Sequence, residues 1–146
     1  MCLQIYLAAD VPIAANHGAA ISAALVDPQV NPVGRWLSSS HVYRLQGRQE
    51  SGCGFPYVVA EEFIEYFEGM FEDWGERDEE VENARGLLGL SAISLETAAA
   101  VEIYPVWDGD ESLPPKGSVE KSLSELVPEQ LVLTERFVLR LARANF

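Results

Sequence analysis

The chain has 146 residues, of which 48% are hydrophobic, and its 23 acidic and 10 basic side chains give a net charge of −13. This length suits one domain, so we expect residues 1–146 to fold as a single globular unit with its own core. The composition excludes a disordered tail and a disulfide-built miniprotein. The negative charge disfavours non-specific binding to nucleic acid and to anionic membranes, both of which attract basic proteins.

The cysteines and the N-terminal residues point to one compartment. Two cysteines, Cys2 and Cys53, are too few for a disulfide framework. The first basic residue is Arg35, so the N-terminus lacks the positive region of a secretory signal. The longest uncharged run, 11–26, is too short and too polar to cross a membrane. We therefore expect a cytoplasmic protein with reduced thiols.

The first third of the chain predicts strands. Residues 3–7 and 41–45 alternate apolar and polar side chains, which is typical of half-buried strands. The run 19–26 mixes alanine with β-branched residues, and we predict a strand because Asp27-Pro28 stops it early. Residues 35–37 are predicted as a short strand.

The middle of the chain predicts two helices. Apolar side chains recur at spacings of three and four over 59–74, with glutamates on the other face, which indicates an amphipathic helix. Gly75 is predicted to end this helix. Asp78 is predicted to cap a second helix, whose apolar stripe extends to Leu95.

The last third returns to strands. Residues 101–107 predict a strand in which Pro105 indicates an edge or a bulge. Asp108-Gly109 is a turn signal, 113–117 is a predicted loop, and Ser122 is predicted to cap a short helix. Residues 132–141 predict the last strand. The element order indicates an α+β fold: a single, mostly antiparallel sheet of about five strands with two main helices packed on one face.

Cys53 is the most specific local feature, because glycines flank it and a predicted helix follows. A cysteine near a helix N-terminus can be held as a reactive thiolate, and His41 and Cys2 are candidate assisting groups. We therefore treat Cys53 and His41 as a hypothetical catalytic pair. The alternative is a buried, inert cysteine in a tight turn.

Metal and cofactor motifs are weak or absent. Asp108 and Asp110, with Glu111 beside them, are candidate oxygen ligands for Mg²⁺ or Ca²⁺. The alternative is a turn with solvated acids, because the spacing and distal glutamate of a calcium-binding hand are missing. The cysteines and histidines lack zinc-site spacing, and no nucleotide-binding motif occurs. We therefore expect no cofactor.

The acidic charge is concentrated in one stretch. Residues 61–82 hold eleven acidic side chains and one basic one. Four glutamates of the predicted helix form a candidate binding face for a basic protein partner: Glu61, Glu65, Glu68 and Glu72. The alternative is a solvated face that keeps the protein soluble.

The sequence as a whole predicts a small, acidic α+β binding or interaction domain without the usual catalytic motifs. Its expected partner is a basic protein or a small ligand, and not nucleic acid or a membrane. The alternative is a thiol-dependent enzyme or redox protein that uses Cys53.

Overall fold

The computed structural model describes residues 3–13, 16–17, 21–46, 75–128, 131 and 133–143. This part of the chain contains seven strands and one α-helix. In chain order they are β1 Leu3–Ala9, β2 Asn16–His17, β3 Ile21–Leu25, β4 His41–Gln46, α1 Gly75–Ser94, β5 Ala100–Trp107, β6 Gly117–Ser122 and β7 Phe137–Ala142. Two short 3-10 helices, Pro32–Trp36 and Leu123–Glu125, complete the described elements.

The strands form one sheet in the order β2-β3-β4-β1-β5-β7-β6. β1 lies at its centre and pairs antiparallel with both β4 and β5. β7 pairs antiparallel with β5, whereas β6 runs parallel to β7. The sheet is therefore mixed, with β6 as the last strand on one side.

The predicted sheet with two helices on one face is wrong. The sheet is mixed and has more strands than expected, and the described residues contain one α-helix. Strand β6 went unpredicted because its sequence GSVEKS holds a single large apolar residue and shows no alternation. The predicted helix over 59–74 lies outside the described residues.

The boundary predictions around α1 are also wrong. Gly75 and Asp78 are both within the helix, so neither ends nor caps one there. A glycine inside a helix costs only about 1 kcal/mol relative to alanine, so burial of the helix can outweigh it.

No helix in the described part of the chain is long and apolar enough to cross a membrane.

One face of the sheet packs against α1. Alternate residues of the central strands, such as Ile5, Leu7 and Ile103, join Leu87 and Leu90 of the helix in one buried cluster. Full burial of a leucine side chain contributes about 2 kcal/mol, so these contacts hold the helix on the sheet.

The opposite face is covered by the first 3-10 helix. Tyr6, Tyr104 and Val106 of the sheet pack there against Val33 and Leu37. The strand predicted over 35–37 is wrong, because the Asn31 side chain accepts the Val33 N–H at 3.0 Å and caps a helical turn that Pro32 begins. The core thus has two layers.

The strands predicted over 3–7, 19–26, 41–45 and 101–107 are confirmed with small boundary shifts. Pro105, however, is in the interior of the sheet. Its carbonyl accepts the Arg136 N–H at 2.7 Å, on the side where regular pairing with β7 has ended at Ile103. The proline therefore removes no ladder hydrogen bond from β7, which is why an interior strand tolerates it.

Candidate functional site

A row of charged residues crosses the outer part of the sheet. Glu102 of β5 is opposite Arg140 of β7, and Arg140 is opposite Glu120 of β6. Glu102 is only 5% exposed, Arg140 is half-buried and Glu120 is exposed. The row thus extends from the protein interior to the last strand of the sheet.

The Glu102 carboxylate is held by the chain that leads into β4. One oxygen accepts the Ser39 N–H at 2.8 Å and the Ser38 hydroxyl at 3.0 Å, and the other accepts the Ser38 N–H at 3.3 Å. A carboxylate has about four acceptor positions, so three are filled from the protein. Glu102 therefore joins the segment before β4 to β5.

Arg140 completes this polar cluster from the β7 side. Its Nη1 donates to the Ser38 hydroxyl oxygen at 3.0 Å. The hydroxyl thus accepts from a guanidinium and donates to a carboxylate. Since Glu102 is already engaged by two backbone N–H groups, the geometry fits a structural clamp better than a base that activates Ser38.

Strand β6 is the exposed end of this row. Four consecutive residues, from Ser118 to Lys121, are exposed to solvent, and Val119 is 44% exposed. β6 pairs only with β7 among the described strands. A strand in this position presents backbone N–H and C=O groups to which another strand can pair.

No family model matches the chain, and comparisons with curated proteins and with solved structures find no match. The candidate site therefore rests on geometry. Its parts are the β6 edge, which is open as far as the described residues show, and the charged row that connects that edge to the core.

The structure does not bring the predicted catalytic pair together within the described residues. His41 begins β4, where it is half-buried and opposite Ala9. By strand alternation it lies on the α1 side of the sheet, away from Glu102. Cys53 lies outside the described residues, and so do Glu61, Glu65, Glu68 and Glu72.

The acidic loop after β5 is an ordered turn. Gly109 has a φ of 97°, which glycine adopts without strain, and its N–H donates to the Glu111 carboxylate at 3.0 Å. The Glu111 carbonyl accepts the Trp36 indole N–H at 3.0 Å, which joins the loop to the first 3-10 helix. The turn predicted at Asp108-Gly109 is confirmed.

The metal site proposed at Asp108 and Asp110 stays a prediction. In the part of the chain that the structure describes, no three His, Cys, Asp or Glu side chains form a group that could hold a metal ion. The Glu111 carboxylate, the third ligand that the sequence offers, is engaged by the Gly109 N–H.

Two buried tyrosines flank the covered face of the sheet and differ in their partners. The Tyr6 hydroxyl accepts the Asn31 side-chain N–H at 2.9 Å, whereas the buried Tyr104 hydroxyl has no hydrogen-bond partner among the described residues. Arg136 lies near Tyr104, but its Nη2 and Nε donate to the Pro114 carbonyl at 2.6 and 3.0 Å.

Burial raises the pKa of both tyrosines above the usual 10.0. The hydrogen bond from Asn31 opposes this rise in the pKa of Tyr6, and the charge of Arg136 opposes it in the pKa of Tyr104. Each tyrosine therefore loses its proton at a lower pH in the unfolded chain than in the folded protein. Its contribution to the free energy of unfolding is fully present below pH 10 and is lost as the pH rises above that value.

Because their hydroxyls differ in hydrogen bonding, replacing each tyrosine with phenylalanine should have a different effect on the free energy of unfolding. Tyr6→Phe should lower the free energy of unfolding at pH 7 by about 1 kcal/mol, because it removes the acceptor of Asn31. Tyr104→Phe should leave stability unchanged or raise it by about 1 kcal/mol, because it removes an unpaired buried hydroxyl. Urea unfolding of both variants at pH 7 is the measurement.

Alkaline unfolding provides the control for this pair. Tyr104→Phe should flatten the decline of stability above pH 10 by up to about 1.4 kcal/mol per pH unit. A destabilised Tyr104→Phe with an unchanged alkaline slope would mean that the hydroxyl has a partner and titrates normally.

Sequence analysis missed Glu102 and the β6 edge. The signal for Glu102 was one acidic residue inside the apolar run of β5, which reads as a half-buried strand but is buried on both faces. The β6 edge carried no usable signal, because exposed edge strands lack an apolar face.

Proposed function

We propose that the protein is a small binding domain that takes an extended segment of another polypeptide at the open edge of β6. The observation that carries this proposal is the run of four exposed residues, Ser118 to Lys121, on the last strand of the sheet. In this mode of binding, backbone hydrogen bonds provide affinity and alternate side chains provide specificity.

The side chains of β6 support this proposal. Natural edges are often blocked by proline, by bulges or by charged side chains. β6 has no proline, and its two charged residues, Glu120 and Lys121, are of opposite sign, so each can pair with a charge of the other sign on an added strand. At its centre, the β-branched Val119 offers apolar surface to an added strand. The net charge of −13 further favours a basic partner, whose approach it accelerates.

The proposal has two further parts, one about the acidic stretch of the chain and one about its compartment. The acidic face over 61–82 is proposed as a second contact for a basic partner. The cytoplasm is proposed as the compartment, on the cysteine content alone. Thiol chemistry at Cys53 stays a prediction, and no observation within the described residues favours it.

A peptide titration tests the proposed function. The probes are two synthetic peptides of equal length, one alternating lysine with valine and the other alternating glutamate with valine. We expect the basic peptide to shift the backbone amide resonances of Ser118 to Lys121 and to bind several-fold more tightly than the acidic one.

Val119→Lys should weaken binding, because it replaces the apolar centre of the edge. Val30→Lys is the matched control: Val30 is 81% exposed in the turn after β3, at the other side of the sheet, and receives the same added charge. If neither peptide shifts the β6 amides, or if both variants bind alike, the edge is not the binding surface.

A further inference from the structure

We propose that the segment added at β6 is β6 of a second copy of this chain, antiparallel and with Val119 opposite Val119. Two sheets would then join edge to edge into one continuous sheet. This inference rests on the proposed function, because it uses the same β6 edge, and it adds a second copy of the chain to the basic partner as an occupant of that edge.

The symmetry of such a pair limits the possible registers. A two-fold axis perpendicular to the sheet keeps the same face of both sheets on the same side, and opposite residues of an antiparallel pair share a face. Val119 is opposite Leu139, which belongs to the core on the α1 side. Alternation therefore places Gly117 and Lys121 on that side too, so these residues can stand opposite only one another.

Charge excludes two of the remaining registers, and burial of the exposed Val119 favours one of the others. A pair centred on Glu120 sets two carboxylates directly opposite, and a pair centred on Lys121 sets two ammonium groups opposite; both arrangements destabilise a sheet. A pair centred on Val119 sets valine against valine and Ser118 against Glu120. No like charges are then opposite across β6, and the exposed valine is covered.

In this register Gly117 is opposite Lys121 of the second copy. A Cβ at Gly117 would lie 2.8 Å from a ring carbon of Phe137, so the ring occupies the space above the glycine. Gly117 has no side chain to oppose Lys121 of the second copy, so that lysine contacts the half-buried ring of Phe137 instead. A lysine over an aromatic ring adds a cation–π attraction to the pair.

The pair is expected to be weak and to depend on salt. Pairing of a single short strand buries less than the ~1,200 Å² typical of a stable interface. Each copy also carries a net charge of −13, so the copies repel each other at long range. Salt screens this repulsion and should tighten the pair, whereas salt should release a basic partner.

Sedimentation velocity of the full chain tests the inference. It is run from about 10 µM to about 1 mM protein, because a small interface predicts weak association, and at about 50 and about 500 mM NaCl, across which screening changes strongly. We expect the sedimentation coefficient to rise with protein concentration, and to rise more at the higher salt. Val119→Lys should stay monomeric, while Val30→Lys should associate at least as strongly as the original chain.

A second variant tests the register itself. Ser118→Lys places a lysine opposite Glu120 twice, and each such pair contributes about 0.2–1 kcal/mol, so association should tighten about 2- to 30-fold. In the register centred on Glu120, position 118 is opposite Ser122 and gains no ion pair. Val30→Lys again controls for the change in net charge.

The possible outcomes separate the two proposals. A monomer at every concentration and both salts overturns self-pairing, and so does association that Val119→Lys leaves unchanged. If that monomer still binds the lysine–valine peptide at β6, the proposed function stands. If it binds neither peptide, the proposed function fails as well.

Discussion

Replacing Glu102 with alanine is expected to lower the free energy of unfolding by about 3 kcal/mol. The substitution removes the acceptor of two backbone N–H groups, at Ser38 and Ser39, and of the Ser38 hydroxyl. Ser39 is buried, so its N–H would lack a partner in a region largely closed to water. An unpaired buried donor costs about 1–3 kcal/mol, and here three donors lose their acceptor at once, of which the Ser39 N–H is the buried one.

The charged row itself provides the matched controls. Glu120→Ala makes the same chemical change at the exposed end of the row and should alter stability by less than about 0.5 kcal/mol. Glu102→Gln keeps one acceptor oxygen and should lose less than alanine. Urea unfolding at pH 7 gives the free energies, and an unchanged m-value shows that the comparison is valid. If Glu102→Ala and Glu120→Ala lose equal stability, Glu102 does not act as a clamp.

This clamp also bears on binding at β6. Glu102 and Arg140 hold the segment before β4 against β5 and β7, and β7 is the strand that carries β6. An edge held on a rigid support loses less conformational freedom when a strand adds to it. The polar cluster can therefore contribute to affinity without touching the partner.

The strands at the centre of the sheet were predictable from sequence. β4 alternates clearly because one of its faces meets water, β5 is rich in β-branched and aromatic residues, and β1 is apolar apart from Gln4 and the hydroxyl of Tyr6. These patterns can be seen in the sequence because buried positions require apolar side chains. The order of the strands within the sheet was not predictable, because strand pairing joins residues such as Leu3 and Trp107 that are distant in sequence.

The candidate site was hidden for the same physical reason. The role of Glu102 as a clamp can be recognised only in the folded protein, where Ser38 and Ser39, more than 60 positions earlier, donate hydrogen bonds to it. β6 is a strand because β7 supplies its hydrogen bonds, and its own side chains do not require that conformation. Local patterns cannot report contacts that only the tertiary fold creates.

Arg143 is expected to have the second large effect. It follows β7, and its guanidinium donates to three carbonyls just beyond the C-terminal end of α1 at Ser94: Leu95 at 2.8 Å, Ala98 at 3.1 Å and Glu96 at 3.2 Å. Carbonyls at a helix C-terminus lack partners within the helix and carry partial negative charge, so a cation there satisfies and stabilises them. Arg143→Ala should therefore lower the free energy of unfolding by about 2 kcal/mol.

The shape of the guanidinium makes this prediction specific. Arg143→Lys keeps the charge but cannot reach three carbonyls with one ammonium group, so it should recover less than half of the loss. Arg44→Ala removes an equal charge from an exposed position on β4 and should change stability by less than about 0.5 kcal/mol.

Hydrogen exchange adds a local measurement, because the amides of Leu95 and Ala98 donate into the last turn of the helix and its extension. They should exchange faster in Arg143→Ala than in Arg44→Ala. Equal exchange in the two variants would show that the helix end is held by its own backbone, and that the three hydrogen bonds from Arg143 add nothing to it.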